Sequence, residues 1–441
     1  MENLDYMEYM NQARSLMGQE KYPAAILFLE KAEAADRFNK EVYITKGIAY
    51  ANMEEYEKAR AEFEKALKLN RKEGIVYFHL GNIEMLLGNM SKGLEYYNNA
   101  IAYGYDDAQV YFSLGLMYEE EGNDDLAIRN YSKALMKDAN RADIRIRKIR
   151  LFIRRQQMNE ALQALDELIL ANPDVFEGYH LKTLVLTNLE RYDEAEAVLD
   201  SAMNLFPKDT AFASDKASLM ITRKEYQKAV SYLDSISQIY QMDAEAEHSI
   251  AMEKSRAYAF LQDMDNTIAC LERAREISAR MDPPRLDMEA IYLVMNCYLN
   301  VEKYEKVIEC ARELKKAKGE DYYSLAAYYY EPLALKLQNK IEEAKKLFAE
   351  SIAVYRSVSL KNPGSIDSYA FRIMALREIG ELTKALELAD YLVAVRDELG
   401  ESHTLRAAVL EDLGRMDEAK TERAKAVSLG GLMAQLPANN Q

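Results

Sequence analysis

Apolar and small side chains recur along this chain at a fixed spacing of 34 residues. The segment that begins at Gly74 aligns with the segment that begins at Ala108, and the block from Lys40 keeps the same register. The matched residues are Tyr77 with Tyr111, Leu80 with Leu114, Gly81 with Gly115, Tyr97 with Tyr131 and Ala100 with Ala134. A fixed period of this length predicts a stack of similar units, each of which buries the same positions against its neighbours.

Small residues occupy three positions of the repeat when repeat one begins at Tyr6. In repeats one to four, position 8 is Ala13, Gly47, Gly81 and Gly115, and position 27 is Ala32, Ala66, Ala100 and Ala134. Position 20 identifies twelve repeats through Ala25, Ala59, Gly93, Ala127, Ala161, Ala195, Ala229, Thr267, Val307, Ala344, Ala385 and Ala419. Small side chains at these positions let helices approach closely, whereas a bulky side chain would leave strain or a void. The pattern resembles the tetratricopeptide repeat, a helix–turn–helix unit of about 34 residues.

The resemblance implies an all-α fold, a right-handed superhelical solenoid of about twelve helix–turn–helix repeats. Repeats one to seven, residues 1–243, keep the strict period, whereas repeats eight to twelve, residues 244–430, are longer and irregular. Residues 431–441 are predicted to form a flexible tail. Pro332 falls inside the predicted first helix of repeat ten, where we expect it to kink or restart that helix.

Charge and cysteine content narrow the classes of partner and compartment. The chain has 57 basic and 73 acidic side chains, a formal net charge of −16. A net anion repels phosphate backbones, so we expect no nucleic-acid partner. No stretch approaches about 18 uncharged apolar residues, so no membrane span is expected. The three cysteines, without a signal peptide ahead of them, predict free thiols in a reducing cytoplasm.

The motifs that carry catalysis are missing from the sequence. It has no GxxxxGK(S/T), GxGxxG or CxxC motif, and none of the four histidines lies in HExxH or beside a second ligand at metal-binding spacing. Paired glutamates occur throughout the chain, as on any solvated helix face, so none stands out as an acid–base pair. We therefore predict no catalytic residue, no cofactor and no metal, and a protein that is not an enzyme.

The resemblance also implies a concave groove lined by the first helix of each repeat. Repeat positions 2, 5, 9 and 12, with 6 and 13 beside them, face that groove. The predicted partner-binding residues at these positions are Ile44, Ile48, Phe78, Asn82, Met85, Phe112, Leu116, Ile146, Arg147, Arg150, Ile153, Arg154 and His180. A contiguous exposed apolar surface is typical of a binding site, here for an extended peptide or an amphipathic helix. The alternative is that a tight superhelix or the chain's own tail covers this surface.

One segment is strongly basic in this acidic chain. Residues 141–157 hold seven basic side chains and one acid, Asp143, a net charge of +6. Three of the bases, Arg147, Arg150 and Arg154, share one helical face on the groove side. Neighbouring acids such as Glu119 are too few to cancel seven bases, so surplus positive charge is expected. Arginines beside an apolar stripe predict an acidic, amphipathic peptide as partner.

A second, weaker contact area is predicted in repeats nine and ten. Tyr292, Tyr329 and Tyr330 occupy groove positions there, and Leu333 and Met374 lie near them.

Together these features predict a cytoplasmic, non-catalytic scaffold or adaptor that binds a peptide, helix or protein in its concave groove. Two alternatives stay open. One is a regulator whose superhelix changes shape when a peptide binds, with Pro332 in its soft region. The other is a structural subunit that assembles with copies of itself, so self-association is possible.

Overall fold

The computed structural model describes residues 2–239 and 242–430, which form twenty-four α-helices and no strand. The first twelve helices are α1 (Glu2–Gly18), α2 (Tyr22–Ala35), α3 (Lys40–Asn52), α4 (Tyr56–Leu69), α5 (Gly74–Leu86), α6 (Met90–Ala102), α7 (Ala108–Glu120), α8 (Asp124–Lys137), α9 (Ala142–Arg154), α10 (Met158–Ala171), α11 (Phe176–Asn188) and α12 (Tyr192–Leu205). The other twelve are α13 (Ala211–Thr222), α14 (Tyr226–Ile239), α15 (Ala244–Phe260), α16 (Met264–Arg280), α17 (Met288–Asn300), α18 (Tyr304–Lys315), α19 (Tyr322–Leu337), α20 (Ile341–Lys361), α21 (Ile366–Glu378), α22 (Leu382–Val395), α23 (Gly400–Asp412) and α24 (Met416–Ser428). They form twelve helix–turn–helix repeats, which confirms the predicted helical repeat fold.

The turn inside every repeat has the same backbone geometry. One residue with positive φ follows each first helix: Glu20, Glu54, Gly88, Gly122, Gln156, Glu190, Lys224, Gln262, Glu302, Asn339, Gly380 and Gly414. The next amide reaches back to close the helix end, as when the Lys21 N–H donates to the Leu16 carbonyl oxygen at 2.9 Å. This arrangement satisfies carbonyl groups that the helix end leaves unpaired. The connection therefore turns the chain sharply enough for the two helices to pack antiparallel.

Close packing of the two helices depends on the small residue at position 8. A Cβ atom on Gly115 would lie 2.3 Å from Cε1 of Tyr131, and one on Gly81 would lie 2.6 Å from Cδ1 of Tyr97. Both tyrosine rings are buried against the glycine backbone. The small residues that revealed the period in the sequence are thus the points where the helices touch.

Replacing Gly115 with alanine is expected to lower the free energy of unfolding by about 1–3 kcal/mol, because the buried Tyr131 ring must move. Its hydroxyl donates to Glu119 Oε2 at 2.5 Å, which holds the ring in place. Gly18→Ala is the matched control, since a Cβ there meets nothing within 4 Å. Thermal or urea unfolding compares the two, and equal stabilities would contradict the packing argument.

The chain divides into two compact units, Met1–Leu205 and Phe206–Gln441, called here the N-terminal unit and the C-terminal unit. In the C-terminal unit the extra residues lengthen helices: α15 and α16 have 17 residues each and α20 has 21. Helix α19 continues from Tyr322 to Leu337 through Pro332 without a restart. The division at residue 243 stays a prediction, and the predicted tail 431–441 lies outside the described residues. Among the described helices, none is long and apolar enough to cross a membrane.

Candidate functional site

All thirteen predicted groove residues lie on first helices of the N-terminal unit. Helix α3 carries Ile44 and Ile48, α5 carries Phe78, Asn82 and Met85, α7 carries Phe112 and Leu116, α9 carries Ile146, Arg147, Arg150, Ile153 and Arg154, and α11 carries His180. The helical repeat therefore brings them to equivalent places on successive helices.

Two of the apolar groove residues are buried, contrary to the expectation of exposed side chains. Ile44 is 6% exposed and Phe78 is 5% exposed. The Phe78 ring packs 5.0 Å from the ring of Tyr105 and 6.1 Å from that of Tyr97, measured between centroids. In repeats two and three the side chain at position 5 fills the space between the repeat and the next one, so these two side chains belong to the core.

The other apolar groove residues are half-buried at the margins of core clusters. They are Ile48, Met85, Phe112, Leu116, Ile146 and Ile153. The guanidinium carbon of Arg141 lies 5.1 Å from the centroid of the Phe112 ring, a cation–π contact. The exposed apolar surface of these helices is consequently smaller than the sequence predicts, and it is bordered by arginine.

The two polar groove residues outside helix α9 already have neighbours in the fold. The Tyr97 hydroxyl donates to Asn82 Oδ1 at 2.8 Å, and the Ser113 hydroxyl lies 3.5 Å from the same oxygen. Burial raises the pKa of Tyr97 to about 12, so its hydroxyl keeps its proton at neutral pH. The half-buried His180 ring lies 4.5 Å from the ring of Phe176.

Ion pairs with acids compensate five of the seven bases in the basic segment, so the surplus positive charge expected from the sequence is reduced to two side chains. We call its seven bases the basic ridge: Arg141, Arg145, Arg147, Lys148, Arg150, Arg154 and Arg155. Five of them pair with acids: Arg141 with Asp143, Arg147 with Glu119, Arg150 with Glu177, Arg154 with Asp124 and Arg155 with Asp125. Sequence reasoning missed three of these acids, Asp124, Asp125 and Glu177, which lie in the first turns of α8 and α11 in the adjacent repeats.

The two remaining bases of the ridge use other contacts. Arg145 donates to the carbonyl oxygen of Ala139 at 2.9 Å. The Lys148 ammonium lies 5.5 Å from the Phe152 ring, and burial lowers the pKa of Lys148. The ridge thus offers exposed guanidinium groups, and acids compensate five of its seven positive charges.

The thiols and the acidic groups give no support for catalysis. The three cysteines are free, and burial raises the pKa of Cys310 to about 11 and also raises the pKa of Cys270 and Cys297. These thiols are protonated at neutral pH and are poor nucleophiles. Within residues 2–239 and 242–430, no group of three or more His, Cys, Asp or Glu side chains is placed to hold a metal ion.

The second predicted contact area, in the C-terminal unit, is partly core. Tyr329 and Leu333 are buried, whereas Tyr292, Tyr330 and Met374 are half-buried. Two further tyrosines, Tyr322 and Tyr323, join Tyr292 and Tyr330 at the start of α19. Tyr322 and Tyr323 precede position 1 of repeat ten, so a search restricted to the repeat positions does not find them. We call these four rings the tyrosine cluster.

Comparisons with known proteins agree with the helical repeat. Sequence models described as tetratricopeptide repeat match residues 40–73, 88–144, 119–184 and 187–252. No curated protein sequence matches the chain.

Solved structures similar to this chain include other repeat proteins. YrrB, titled a TPR protein with an unusual peptide-binding site, is 19% identical, with 43% of this chain and 97% of that chain covered and a TM-score of 0.36. The C-terminal part of a TPR repeat-containing protein from Cytophaga hutchinsonii is 15% identical, with 62% of this chain and 97% of that chain covered and a TM-score of 0.42. Naa15/Naa10 bound to HypK-THB is 16% identical, with 100% of this chain and 64% of that chain covered and a TM-score of 0.38. At these TM-scores the likenesses carry no argument about function.

Family models, the period and the helical repeats therefore agree. Proteins of this kind are generally non-catalytic and bind protein or peptide partners. The chain contains tetratricopeptide repeats over residues 40–73, 88–184 and 187–252, and it has the helical repeat fold of a protein-interaction scaffold.

Proposed function

We propose that the chain is a non-catalytic scaffold that binds an acidic, amphipathic peptide or helix along the first helices α3, α5, α7, α9 and α11. The observation that carries the proposal is a row of exposed arginines beside half-buried apolar side chains on adjacent helices. The side chains of Arg150 and Arg154 are 61% and 50% exposed. On the same face, Leu116 and Ile153 offer apolar contact.

The ion pairs of the ridge do not prevent such binding. Exposed pairs between side chains contribute only about 0–1 kcal/mol, because water screens them and both side chains lose freedom. A carboxylate of the partner can therefore replace Glu177 on Arg150 or Asp124 on Arg154 at little cost. Arginine suits this role because its guanidinium group binds a carboxylate through two parallel hydrogen bonds.

The rest of the proposed partner profile follows from charge. A net charge of −16 disfavours nucleic acid and the anionic surface of a membrane as partners. The three free cysteines favour a cytoplasmic location.

We expect the double variant Arg150→Glu with Arg154→Glu to recover at least about tenfold less acidic partner than the wild type, since each change puts a like charge before the partner's carboxylates. The measurement is affinity capture from a native lysate with quantitative mass spectrometry. Binding of the captured partner by the wild type should also weaken strongly with salt, because its charges are exposed.

The matched control is Arg191→Glu with Arg280→Glu, which changes the net charge equally at two exposed pairs outside the ridge. Unchanged capture by the ridge variant, or equal loss by the control, would contradict the proposal. Ultracentrifugation of the wild type distinguishes self-assembly, which makes the mass rise with concentration. Small-angle scattering with and without the captured partner distinguishes a regulator that changes shape.

A further inference from the structure

The tyrosine cluster forms an aromatic surface on α17 and α19 in the C-terminal unit. The Tyr292 ring lies 5.4 Å from Tyr322, 5.5 Å from Tyr323 and 6.0 Å from Tyr330, measured between centroids. The hydroxyl groups of Tyr292 and Tyr322 lie 2.9 Å apart and share a hydrogen bond. Tyr322 is 41% exposed and the other three rings are half-buried. The cluster is therefore held by its own contacts and is still open to a ligand.

Three carboxylates around this cluster occupy the same position of their repeats. Glu289, Asp367 and Glu401 are each the second residue of a first helix, in α17, α21 and α23. Within the described part of the chain, none of the three forms an ion pair or a side-chain hydrogen bond. Carboxylates elsewhere are commonly paired across repeats, as Glu313 is with Arg275 and Glu378 is with Lys336.

A helix-stabilising role alone does not account for Asp367. A carboxylate in the first turn of a helix is favoured by the helix dipole and usually stays ionised in water. Asp367 is instead half-buried, and its pKa is raised by burial and by the nearby charge of Glu401. Asp367 and Glu401 are thus two neighbouring carboxylates with no paired base among the residues that the structure describes.

The charges that act on the exposed tyrosine are also negative. Burial raises the pKa of Tyr322, and Tyr292, Asp367 and Glu401 raise it further. Burial likewise raises the pKa of Tyr323, with Glu289 the next contribution. Aromatic rings attract a cation through their π faces, and adjacent carboxylates add direct charge attraction.

We propose that the surface formed by Tyr292, Tyr322, Tyr330, Asp367 and Glu401 binds a lysine- or arginine-rich peptide segment of a partner protein. This surface goes beyond the function proposed above, which places an acidic partner on the N-terminal unit. Its charge is complementary to a basic peptide, and the net charge of −16 attracts such a peptide over a distance. The segment 431–441 contains no lysine or arginine, so it lacks the charge to be the occupant.

The experiment measures binding of a short fluorescein-labelled peptide of alternating lysine and serine to the full chain by fluorescence anisotropy. A peptide with glutamate in place of lysine and one with acetyl-lysine are the probe controls. We expect the lysine peptide to bind more tightly than both, and its affinity to fall between about 50 mM and about 300 mM salt. Asp367→Asn with Glu401→Gln should weaken its binding about tenfold, or about 1.4 kcal/mol. Tyr292→Leu should weaken it about fivefold through the lost ring face.

The matched control is Glu343→Gln with Glu350→Gln, which removes the same charge from two exposed carboxylates on α20 that form no ion pair among the described residues. The control should change the dissociation constant less than about twofold, which separates the local site from the overall charge.

Equal effects of the two double variants, or equal affinity for the lysine and glutamate peptides, would overturn the proposal. A dimer that Asp367→Asn with Glu401→Gln dissociates in ultracentrifugation would also overturn it, in favour of a second copy as the occupant. Arg150→Glu with Arg154→Glu should leave binding of the lysine peptide at the level of its own charge control, so this surface is tested independently of the basic ridge.

Discussion

Replacing Phe78 with alanine is expected to lower the free energy of unfolding of the N-terminal unit by about 3–5 kcal/mol, the range typical of a phenylalanine removed from a core. The Phe78 ring is buried and packs against the rings of His79, Tyr97 and Tyr105. Its core cluster also includes Val110 and Leu114 of the next repeat. Truncation leaves a cavity between repeats three and four. This cavity cannot collapse, because the helices that line it are held in place by their other contacts.

Phe112→Ala is the matched control, since Phe112 occupies the same repeat position one repeat later and is only half-buried. Its loss should be smaller, about 1–2 kcal/mol. Urea unfolding followed by circular dichroism compares the variants, and hydrogen exchange at the amides of α5 and α6 localises the effect. Hydrogen exchange is needed because stacked repeats need not unfold in one step. Equal losses at the two positions would show that Phe78 is no more buried than Phe112.

The period could be predicted from sequence because the same steric requirement recurs in repeats two, three and four. Gly81 and Gly115 are small because the rings of Tyr97 and Tyr131 lie against their backbone, so the same residue types recur at the same spacing. A requirement of this kind is local to one helix pair. It is therefore visible in the sequence as small residues that recur at a fixed spacing.

The burial of Phe78 could not be predicted from the repeat pattern. One of its neighbours, Tyr105, lies in the connection between α6 and α7, outside the helices whose positions define the repeat. Whether position 5 is open or covered depends on what that connection supplies in each repeat. The repeat pattern alone therefore identified the face but not its exposure.

The ion pairs of the basic ridge were not apparent from the sequence for a related reason. Arg154 and Arg155 pair with Asp124 and Asp125, which begin the second helix of the preceding repeat. A net charge counted along a segment of sequence ignores such partners, which become neighbours only when the repeats stack. Among the described residues, the same stacking leaves Asp367 and Glu401 without a paired base, so these two negative charges in the C-terminal unit are not compensated.

His79 is expected to make the N-terminal unit less stable as the pH falls below about 6.5, the ordinary pKa of histidine. Its ring stacks on Phe63, with centroids 5.2 Å apart and an interplanar angle of 2°, and also contacts Phe78. Burial among these rings lowers the pKa of His79 to about 4. The unfolded chain therefore binds a proton more readily than the folded chain between these two pH values. Stability is fully present above pH 6.5 and is lost progressively as the pH falls toward about 4, by about 3 kcal/mol in total.

The measurement is the free energy of unfolding of the wild type and of His79→Phe at about pH 7.5 and about pH 5.0. Phenylalanine keeps a ring against Phe63 and removes the titrating group. Between the two pH values the wild type should lose about 2 kcal/mol more than the variant, because carboxylates that titrate in the same range are common to both chains. A fixed packing cost of the substitution cancels, since only the change with pH is compared. An identical pH dependence in the two chains would mean that the His79 imidazole takes up its proton as easily in the folded state as in water, and that burial beside Phe63 and Phe78 does not control its charge.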